Sequence, residues 1–197
     1  HTFTELEKER IHVEMLQIAH RYFIDKGLKN TSIEDITSSV GIAKSSFYVF
    51  FESKEILYLE LLALEGEGIE KRVWPEVDKA EDIHAAIKTY LYAMSSELES
   101  NILTQRLITD LEEYKMVSRK VNPQYVGSKM LRSIVPLMEF IRSRLESKEI
   151  IEADVEVIAG VMRAALLIGV HKKDVGEEVY PKVQEILFNA IARELTM

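Results

Sequence analysis

Residues that interrupt helices are scarce in this chain, which has 8 Gly and 4 Pro among its 197 residues. Glycine and proline disfavour the interior of a helix more than any other residue. The stretches between them are rich in Leu, Ile, Glu and Lys, which favour helices. The sequence therefore predicts an all-α protein, with an N-terminal three-helix domain and a C-terminal helical bundle, about nine helices in all.

Composition narrows the classes of function. The chain has no Cys, which excludes disulfides, thiolate nucleophiles and Cys-ligated metals. The longest apolar run, 157–170, is interrupted by Arg163 and is too short to span a bilayer. The charged first residues contain no apolar stretch of the kind found in signal peptides. We therefore expect a cytoplasmic protein without membrane insertion.

Net charge does not by itself suggest a nucleic-acid partner. The chain carries a formal charge of −8, and residues 1–52 hold six basic and eight acidic side chains. A protein that binds DNA through a broad basic surface has the opposite balance. Any case for DNA must therefore come from local sequence pattern.

The first 65 residues predict short helices separated by tight turns. Apolar residues three and four apart predict a first helix that ends near Lys26-Gly27. The pattern Thr31-Ser-Ile-Glu34 predicts a capping box that opens a second helix. Gly41 ends that helix, and two residues later a third short helix runs from about Lys44 to Val49.

Two short helices joined by a tight glycine turn form a helix-turn-helix. Ser53 is predicted to cap a fourth helix, whose buried stripe consists of Ile56, Leu57, Leu61 and Leu64. Gly66, Gly68 and Trp74-Pro75 are expected to interrupt the chain, and further helices are predicted at 82–98, 101–116, 122–147, 153–172 and 177–195. We expect a helix-turn-helix domain over 1–52 and a second helical domain over 53–197.

A composite motif lies in this N-terminal region. It reads Met15-Leu-Gln-Ile-Ala-His-Arg-Tyr-Phe-Ile-Asp-Lys-Gly27, then Thr31-Ser-Ile-Glu-Asp-Ile-Thr37, then Val40-Gly-Ile-Ala-Lys-Ser-Ser-Phe-Tyr-Val-Phe-Phe-Glu-Ser-Lys-Glu55. Over about 45 residues it resembles the DNA-binding domain of the tetracycline-repressor (TetR) family. The resemblance implies a transcriptional repressor that binds a palindromic operator in double-stranded DNA as a homodimer and is released by a small-molecule effector. It implies no enzymatic activity, cofactor or metal.

The chemistry of the third helix agrees with a role in DNA recognition. Short polar or basic side chains near the start of such a helix can reach base edges in the major groove, and a valine can meet a thymine methyl group. The predicted base contacts are Lys44, Ser45, Ser46 and Val49. The Tyr48 hydroxyl and Lys54, in the first turn of the fourth helix, suit phosphate. The resemblance adds Thr31 to these phosphate contacts, while Phe47 and Phe51 are expected to anchor the opposite face.

Three positions depart from the family pattern. Ala43 replaces a Ser that would cap the third helix, Ser45 replaces a common Gly, and Phe50 replaces a Tyr or His. The first and last changes remove hydrogen-bonding groups that could reach phosphate. We therefore expect modest DNA affinity or a shallow salt dependence.

The last two predicted helices are candidates for a dimer interface. The segment 155–170 is apolar on nearly all sides and contains small residues that permit close helix packing. The predicted interface consists of Val155, Ile158, Met162, Ala165, Leu166, Gly169, Val183, Leu187, Ala190 and Ile191. The alternative is that these residues form the core of a monomer.

An effector site is expected among the middle helices. Its candidate lining residues are Tyr90, Met94, Leu107, Tyr125 and Met162, which could instead be ordinary core. The acidic run 110–113 could meet a cationic ligand or be a solvated face. Glu9-x-x-His12 and Glu81-x-x-His84 have the spacing of di-iron carboxylate bundles, an enzyme alternative. A helical interaction module whose DNA face is vestigial is the third interpretation.

Overall fold

The computed structural model describes residues 2–197, apart from the side chains of residue 111 and residues 129–134. It confirms the all-α prediction, because the regular structure over these residues is helical, with one isolated bridge between Ile150 and Thr196. The chain packs into two compact units. The first unit consists of His1–Glu65 and Asp110–Lys129, and the second unit of Gly66–Thr109 and Met130–Met197.

The first unit begins with three short elements. They are α1 (Glu5–Lys26), α2 (Ile33–Val40) and a 3₁₀ helix (Lys44–Val49). The ends of α1 and α2 are where the glycines predict them. Gly27 has a φ of 79° and Gly41 a φ of 82°, a backbone region that side-chain-bearing residues enter only at a cost.

The fourth helix, α3, extends from Lys54 to Asp78 and contributes residues to both units. The predicted interruptions at Gly66, Gly68 and Pro75 are wrong. A glycine inside a helix costs about 1 kcal/mol, which the burial of Ile69 and Val73 in the core of the second unit offsets. In the predicted buried stripe, Leu57 and Leu61 are buried, whereas Leu64 is 51% exposed.

The predicted helix over 101–116 is in fact two helices. They are α5 (Ile102–Thr109) and α6 (Leu111–Lys120), separated by Asp110, whose carboxylate accepts a hydrogen bond from the Glu112 amide. The remaining helices are α4 (Ile83–Ser100), α7 (Pro123–Glu146), α8 (Val155–Val170), α9 (Lys172–Val175) and α10 (Tyr180–Leu195). In the second unit α4, α8 and α10 pack against one another around its apolar core.

The compact units differ from the division at residues 52 and 53 that the sequence suggests. Helix α6 and the start of α7 pack with the N-terminal helices, and Val117, Val121 and Val126 are buried there. The separation into DNA-binding and ligand-sensing domains stays a prediction about function. Over the described residues, no helix combines the length and hydropathy needed to cross a membrane.

Candidate nucleic-acid interface

The start of α2 is capped one residue later than predicted. Ser32 is the N-cap: its hydroxyl accepts from the Asp35 amide at 3.0 Å, and the Asp35 carboxylate accepts from the Ser32 amide at 2.9 Å. The hydrogen bond from the Ser32 backbone is the main reason why the pKa of Asp35 is lowered. The predicted box between Thr31 and Glu34 is therefore wrong.

Thr31 lies in the interior of the first unit. Its side chain is 1% exposed, and its hydroxyl donates to the Gly27 carbonyl at 2.8 Å. This placement contradicts a direct phosphate contact by the Thr31 hydroxyl. The family resemblance implied a phosphate contact at Thr31. In the structure the Thr31 hydroxyl is buried, and its hydrogen bond to the Gly27 carbonyl stabilises the turn between α1 and α2.

The turn after α2 brings the 3₁₀ helix close to it. The amides of Gly41 and Ile42 both donate to the Thr37 carbonyl at 3.0 Å, which closes the turn. At the N-cap of the 3₁₀ helix, Ala43 makes no side-chain hydrogen bond, as its substitution for Ser implies.

The inner face of the 3₁₀ helix is anchored by aromatic side chains, as their spacing predicts. Phe47 is fully buried and Phe51 is 2% exposed, and their ring centroids lie 5.8 Å apart. Phe50 packs instead against Phe3, with ring centroids 5.9 Å apart and the rings tilted by 48°. The buried rings fix the orientation of the helix.

The outer face of the same helix is formed by Lys44, Ser45, Tyr48 and Val49. Tyr48 is 60% exposed and Val49 is 58% exposed, while Lys44 and Ser45 are also exposed. Lys44 lies 3.8 Å from Glu34 across the turn. Five of the predicted base and phosphate contacts share this short helix, and the fifth, Ser46, is half-buried.

Lys54 begins α3, and the neighbouring Ser53 hydroxyl accepts from the Ile56 amide at 3.1 Å. The Lys54 ammonium donates to the Thr31 carbonyl at 2.7 Å and so joins α3 to the start of α2. Burial lowers the pKa of Lys54; Glu55 opposes this shift and Lys120 adds to it. An ammonium has three N–H donors, so this contact leaves Lys54 able to donate elsewhere.

Glu113 has a structural role that its sequence context did not predict. Its carboxylate accepts from the Leu28 amide at 3.1 Å and from the Tyr58 hydroxyl at 3.2 Å. Glu113 thus joins α6 to the turn after α1 and to α3, whereas the sequence offered only a cationic ligand or a solvated face. The sequence does not distinguish Glu113 from the other acidic residues of this run, Asp110 and Glu112, which are exposed in the structure.

The predicted effector residues do not all lie in one unit. Tyr90 and Met162 are buried in the core of the second unit, where Met94 is half-buried, but Tyr125 belongs to the first unit. Leu107 is half-buried on α5. Burial raises the pKa of Tyr90 to about 12.

Tyr90 belongs to a cluster of aromatic rings centred on Trp74. Trp74 packs on Tyr90 at 5.4 Å and on Phe140 at 5.6 Å. Elsewhere in the second unit, a cavity of about 20 Å³ is lined by residues that include Ser95, Gln105 and Tyr180. It is the size of a single water molecule.

The structure corrects four of the predicted dimer residues. Ile158, Met162, Ala165 and Leu166 are buried in the apolar core of the second unit. Because α8 is apolar on most sides, the sequence could not distinguish its inner face from its outer face. Val155, Gly169, Val183, Leu187, Ala190 and Ile191 are only partly buried and stay predictions.

A different apolar face is exposed on α8 and α10. Val157 is 55% exposed and Val161 is 37% exposed on α8, and Ala164 lies one turn further on. On α10, Ile186 is 60% exposed. Val179, the N-cap of that helix, is 56% exposed.

The two Glu-x-x-His pairs lie in different units. Glu9 and His12 lie on α1, where His12 stacks on Phe51 at 5.0 Å, whereas Glu81 and His84 belong to the second unit. Within the described part of the chain, no group of three or more His, Asp or Glu side chains is placed to hold a metal ion.

Comparison with known proteins agrees with the resemblance noted in the sequence. Residues 16–61 match the sequence model described as "Bacterial regulatory proteins, tetR family". The chain is 47% identical over 49 residues to the HTH-type transcriptional repressor KstR2 of Mycolicibacterium smegmatis, a match that covers 25% of this chain and 24% of that protein. The similarity therefore spans about a quarter of that curated relative.

Solved structures extend the similarity in fold to nearly the whole chain. A TetR family transcription regulator from Marinobacter aquaeolei VT8 superposes with a TM-score of 0.70, at 14% identity, over 98% of this chain and 99% of that one. RolR in complex with the ligand resorcinol superposes with a TM-score of 0.64, at 14% identity, over 98% and 91% of the two chains. At these identities the likeness establishes the fold.

Proposed function

We propose that the chain is a DNA-binding transcriptional regulator of the tetR family of bacterial regulatory proteins, and not an enzyme. The observation that carries this proposal is the outer face of the 3₁₀ helix. Tyr48 and Val49 are 60% and 58% exposed, directly beside the fully buried Phe47. Apolar surface that a fixed helix exposes to water is stabilised when a partner covers it, so Tyr48 and Val49 mark a binding surface.

The side chains on this face match the chemistry of a DNA major groove. Lys44 and Ser45 can donate to base edges, and the Val49 methyl groups suit a thymine methyl. The Tyr48 hydroxyl and the Lys54 ammonium suit phosphate oxygens. Ser46 is half-buried, so we assign it a smaller share of the base contacts.

Selection of fragments from sheared genomic DNA by the purified chain at low salt, followed by sequencing, tests the proposal. We expect enrichment of a defined sequence by the unmodified chain. Val49→Ala should reduce the enrichment or change the preferred bases, because it removes two methyl groups from the contact face. Val13→Ala is the matched control, since Val13 is 51% exposed in the same unit but lies on α1.

Absence of enrichment, both alone and with cell extract added as a source of effector, would refute sequence-specific regulation and favour an interaction module. Equal enrichment by the two valine variants and the unmodified chain would leave DNA binding in place. It would then refute the assignment of Val49 as a base contact.

We further propose that the protein acts as a homodimer on a palindromic operator. The exposed apolar face of Val157, Val161 and Ile186 supports this, because large apolar side chains on adjacent helices are stabilised when a second copy covers them. A two-fold dimer presents two equivalent reading helices, which is why its operator would be a palindrome.

Sedimentation velocity over a concentration series tests the dimer. Ile186→Asp would bury a charge in the interface, so the dissociation constant should rise about tenfold or more. Leu64→Asp is the control, because Leu64 is an exposed apolar residue of the first unit. A monomeric unmodified chain, or equal effects of the two substitutions, would refute this interface.

We infer that a small-molecule effector binds in the second unit and releases the DNA, so that the protein is a repressor. RolR, which has the same fold, is described in complex with resorcinol. The aromatic cluster of Trp74, Tyr90 and Phe140 offers this chain a surface for an apolar or aromatic molecule. Such a molecule drives release only if it binds the DNA-free conformation more tightly. Fractionated extract added to a preformed operator complex should contain a small-molecule fraction that dissociates it; if no fraction does so, the inference is wrong.

A further inference from the structure

The segment from Lys115 to residue 128 is basic within an acidic protein. It carries Lys115, Arg119 and Lys120 and no Asp or Glu, although the chain as a whole has a formal charge of −8. The helix-turn-helix region before it has more acidic than basic residues. A DNA-binding protein needs cations near the phosphates, and here a local excess of cations lies outside the motif.

The end of α6 lies beside the first turn of α3. The Lys120 ammonium is 3.3 Å from the carboxylate of Glu55, which is 6% exposed and adjacent in sequence to Lys54. The Lys120 side chain remains 61% exposed, and an ammonium has three donors. Lys120 can therefore hold Glu55 and still donate to a ligand in solvent.

The base of this segment is held firmly. Val117 is fully buried and Val121 is 8% exposed, and both belong to the first unit. Arg119 and Lys120 are exposed between these two buried valines. Their backbone is thus fixed by packing, so their charges are positioned before any partner binds.

The electrostatics near Lys54 favour an anion. Burial lowers the pKa of Lys54; Glu55 and Asp35 oppose this shift, and the charge of Lys120 adds to it. Two cations that destabilise each other are both stabilised by an anion placed between them. The dipole of α3, whose positive end lies at Lys54, also favours an anion at this place.

We propose that Arg119 and Lys120, at the end of α6, bind the DNA phosphate backbone next to the phosphate held by Lys54. This contact rests on the proposed function, and it adds to DNA binding a helix that is remote in sequence from the helix-turn-helix. It gives no base specificity, since phosphate contacts position a protein on any duplex. It supplies the salt-dependent affinity that the acidic N-terminal region lacks.

The test is the salt dependence of binding to a duplex of about 30 base pairs and mixed sequence, measured by fluorescence anisotropy from about 50 to 200 mM salt. Each phosphate contact contributes about 0.9 to the slope of log K against log salt concentration. Arg119→Gln should therefore reduce the slope by about 0.9, with weaker binding at low salt.

Lys120 needs a paired substitution, because Lys120→Gln alone leaves the buried Glu55 without this partner. The double variant Glu55→Gln, Lys120→Gln removes both charges and keeps the net charge of the chain unchanged. It should also reduce the slope by about 0.9. Lys71→Gln and Lys79→Gln are the controls, because both lysines are 73% exposed in the second unit and their loss should leave the slope unchanged.

The outcomes separate this inference from the proposed function. If the unmodified chain shows no salt-dependent binding to this duplex, the contact is refuted, whereas the proposed function is decided by the fragment selection described above. If it binds, but Arg119→Gln and the double variant keep its slope, the contact is refuted and DNA binding stands. Equal reductions in the Lys71 and Lys79 variants would indicate a general charge effect and would also overturn the contact.

Discussion

Replacing Glu113 with Ala should weaken the attachment of α6 to the rest of the first unit. The substitution leaves two donors without their carboxylate, the amide of Leu28 and the hydroxyl of Tyr58. Both residues are buried, with Leu28 fully buried and Tyr58 1% exposed. A buried donor left without an acceptor costs about 1 to 3 kcal/mol. Because Glu113 itself is only half-buried, water can partly replace it, and we expect the free energy of unfolding to fall by about 2 to 4 kcal/mol.

Urea unfolding followed by circular dichroism measures this change, and amide hydrogen exchange locates it. The Leu28 amide should exchange about 30 to 1,000 times faster in Glu113→Ala, since 1.4 kcal/mol corresponds to about a tenfold change. Glu112→Ala is the matched control. Glu112 is the preceding residue on the same helix, and its ion pair with Lys115 joins side chains that are 77% and 54% exposed. Its removal should change stability by less than about 0.5 kcal/mol.

Two results would refute this reasoning. Equal stabilities of the two variants would mean that the Glu113 hydrogen bonds add nothing beyond an exposed carboxylate. An unchanged exchange rate at Leu28 would mean that its amide is protected without Glu113. Either result would mean that the hydrogen bond between Glu113 and Leu28 does not hold α6 to the turn after α1.

Three further predictions concern the helix cap, the anchor of the 3₁₀ helix and an ion pair. Ser32→Ala should lower the free energy of unfolding by about 1 kcal/mol, whereas Glu34→Ala should leave it nearly unchanged in the same urea titration. Phe47→Ala should cost about 3 to 5 kcal/mol and abolish binding in the anisotropy assay. The hydrogen bond from Arg72 is the main reason why the pKa of Glu97 is lowered below its ordinary 4.5. This pair therefore stabilises the fold above pH 4.5, and its contribution is lost as the pH falls through the lowered pKa. Thermal unfolding between about pH 3 and 6 should show a shallower loss of stability toward acid in Glu97→Gln; an identical pH profile would contradict the assignment.

The outer part of α8 illustrates where sequence reasoning reaches its limit. The segment is apolar on most of its circumference, so periodicity could not separate the side facing its own core from the side facing solvent. Four residues predicted for the interface are core, and Val157 and Val161 are exposed instead. Only the positions of α4 and α10 relative to α8 decide which side is covered.

The cap of α2 shows a similar limit at shorter range. Thr31 and Ser32 are adjacent and either hydroxyl can cap a helix, so local propensity leaves two choices. Burial of Thr31 against the Gly27 carbonyl removes one of them. Tertiary packing therefore decides that Ser32, and not Thr31, caps α2.

The sequence by itself determined the features that depend on a few neighbouring residues. Gly27 and Gly41 could be assigned as helix ends, and the third helix could be located at Lys44–Val49, because these features depend on residues close together in the chain. For the same reason the composite motif indicated the tetR family. Tertiary structure decided what depends on residues distant in the chain. Helix α3 continues through two glycines because burial of its apolar residues outweighs their cost, and α6 joins the N-terminal helices because Glu113 meets Leu28, 85 positions away. Such contacts carry no local signature, since their free energy appears only when the partners are brought together.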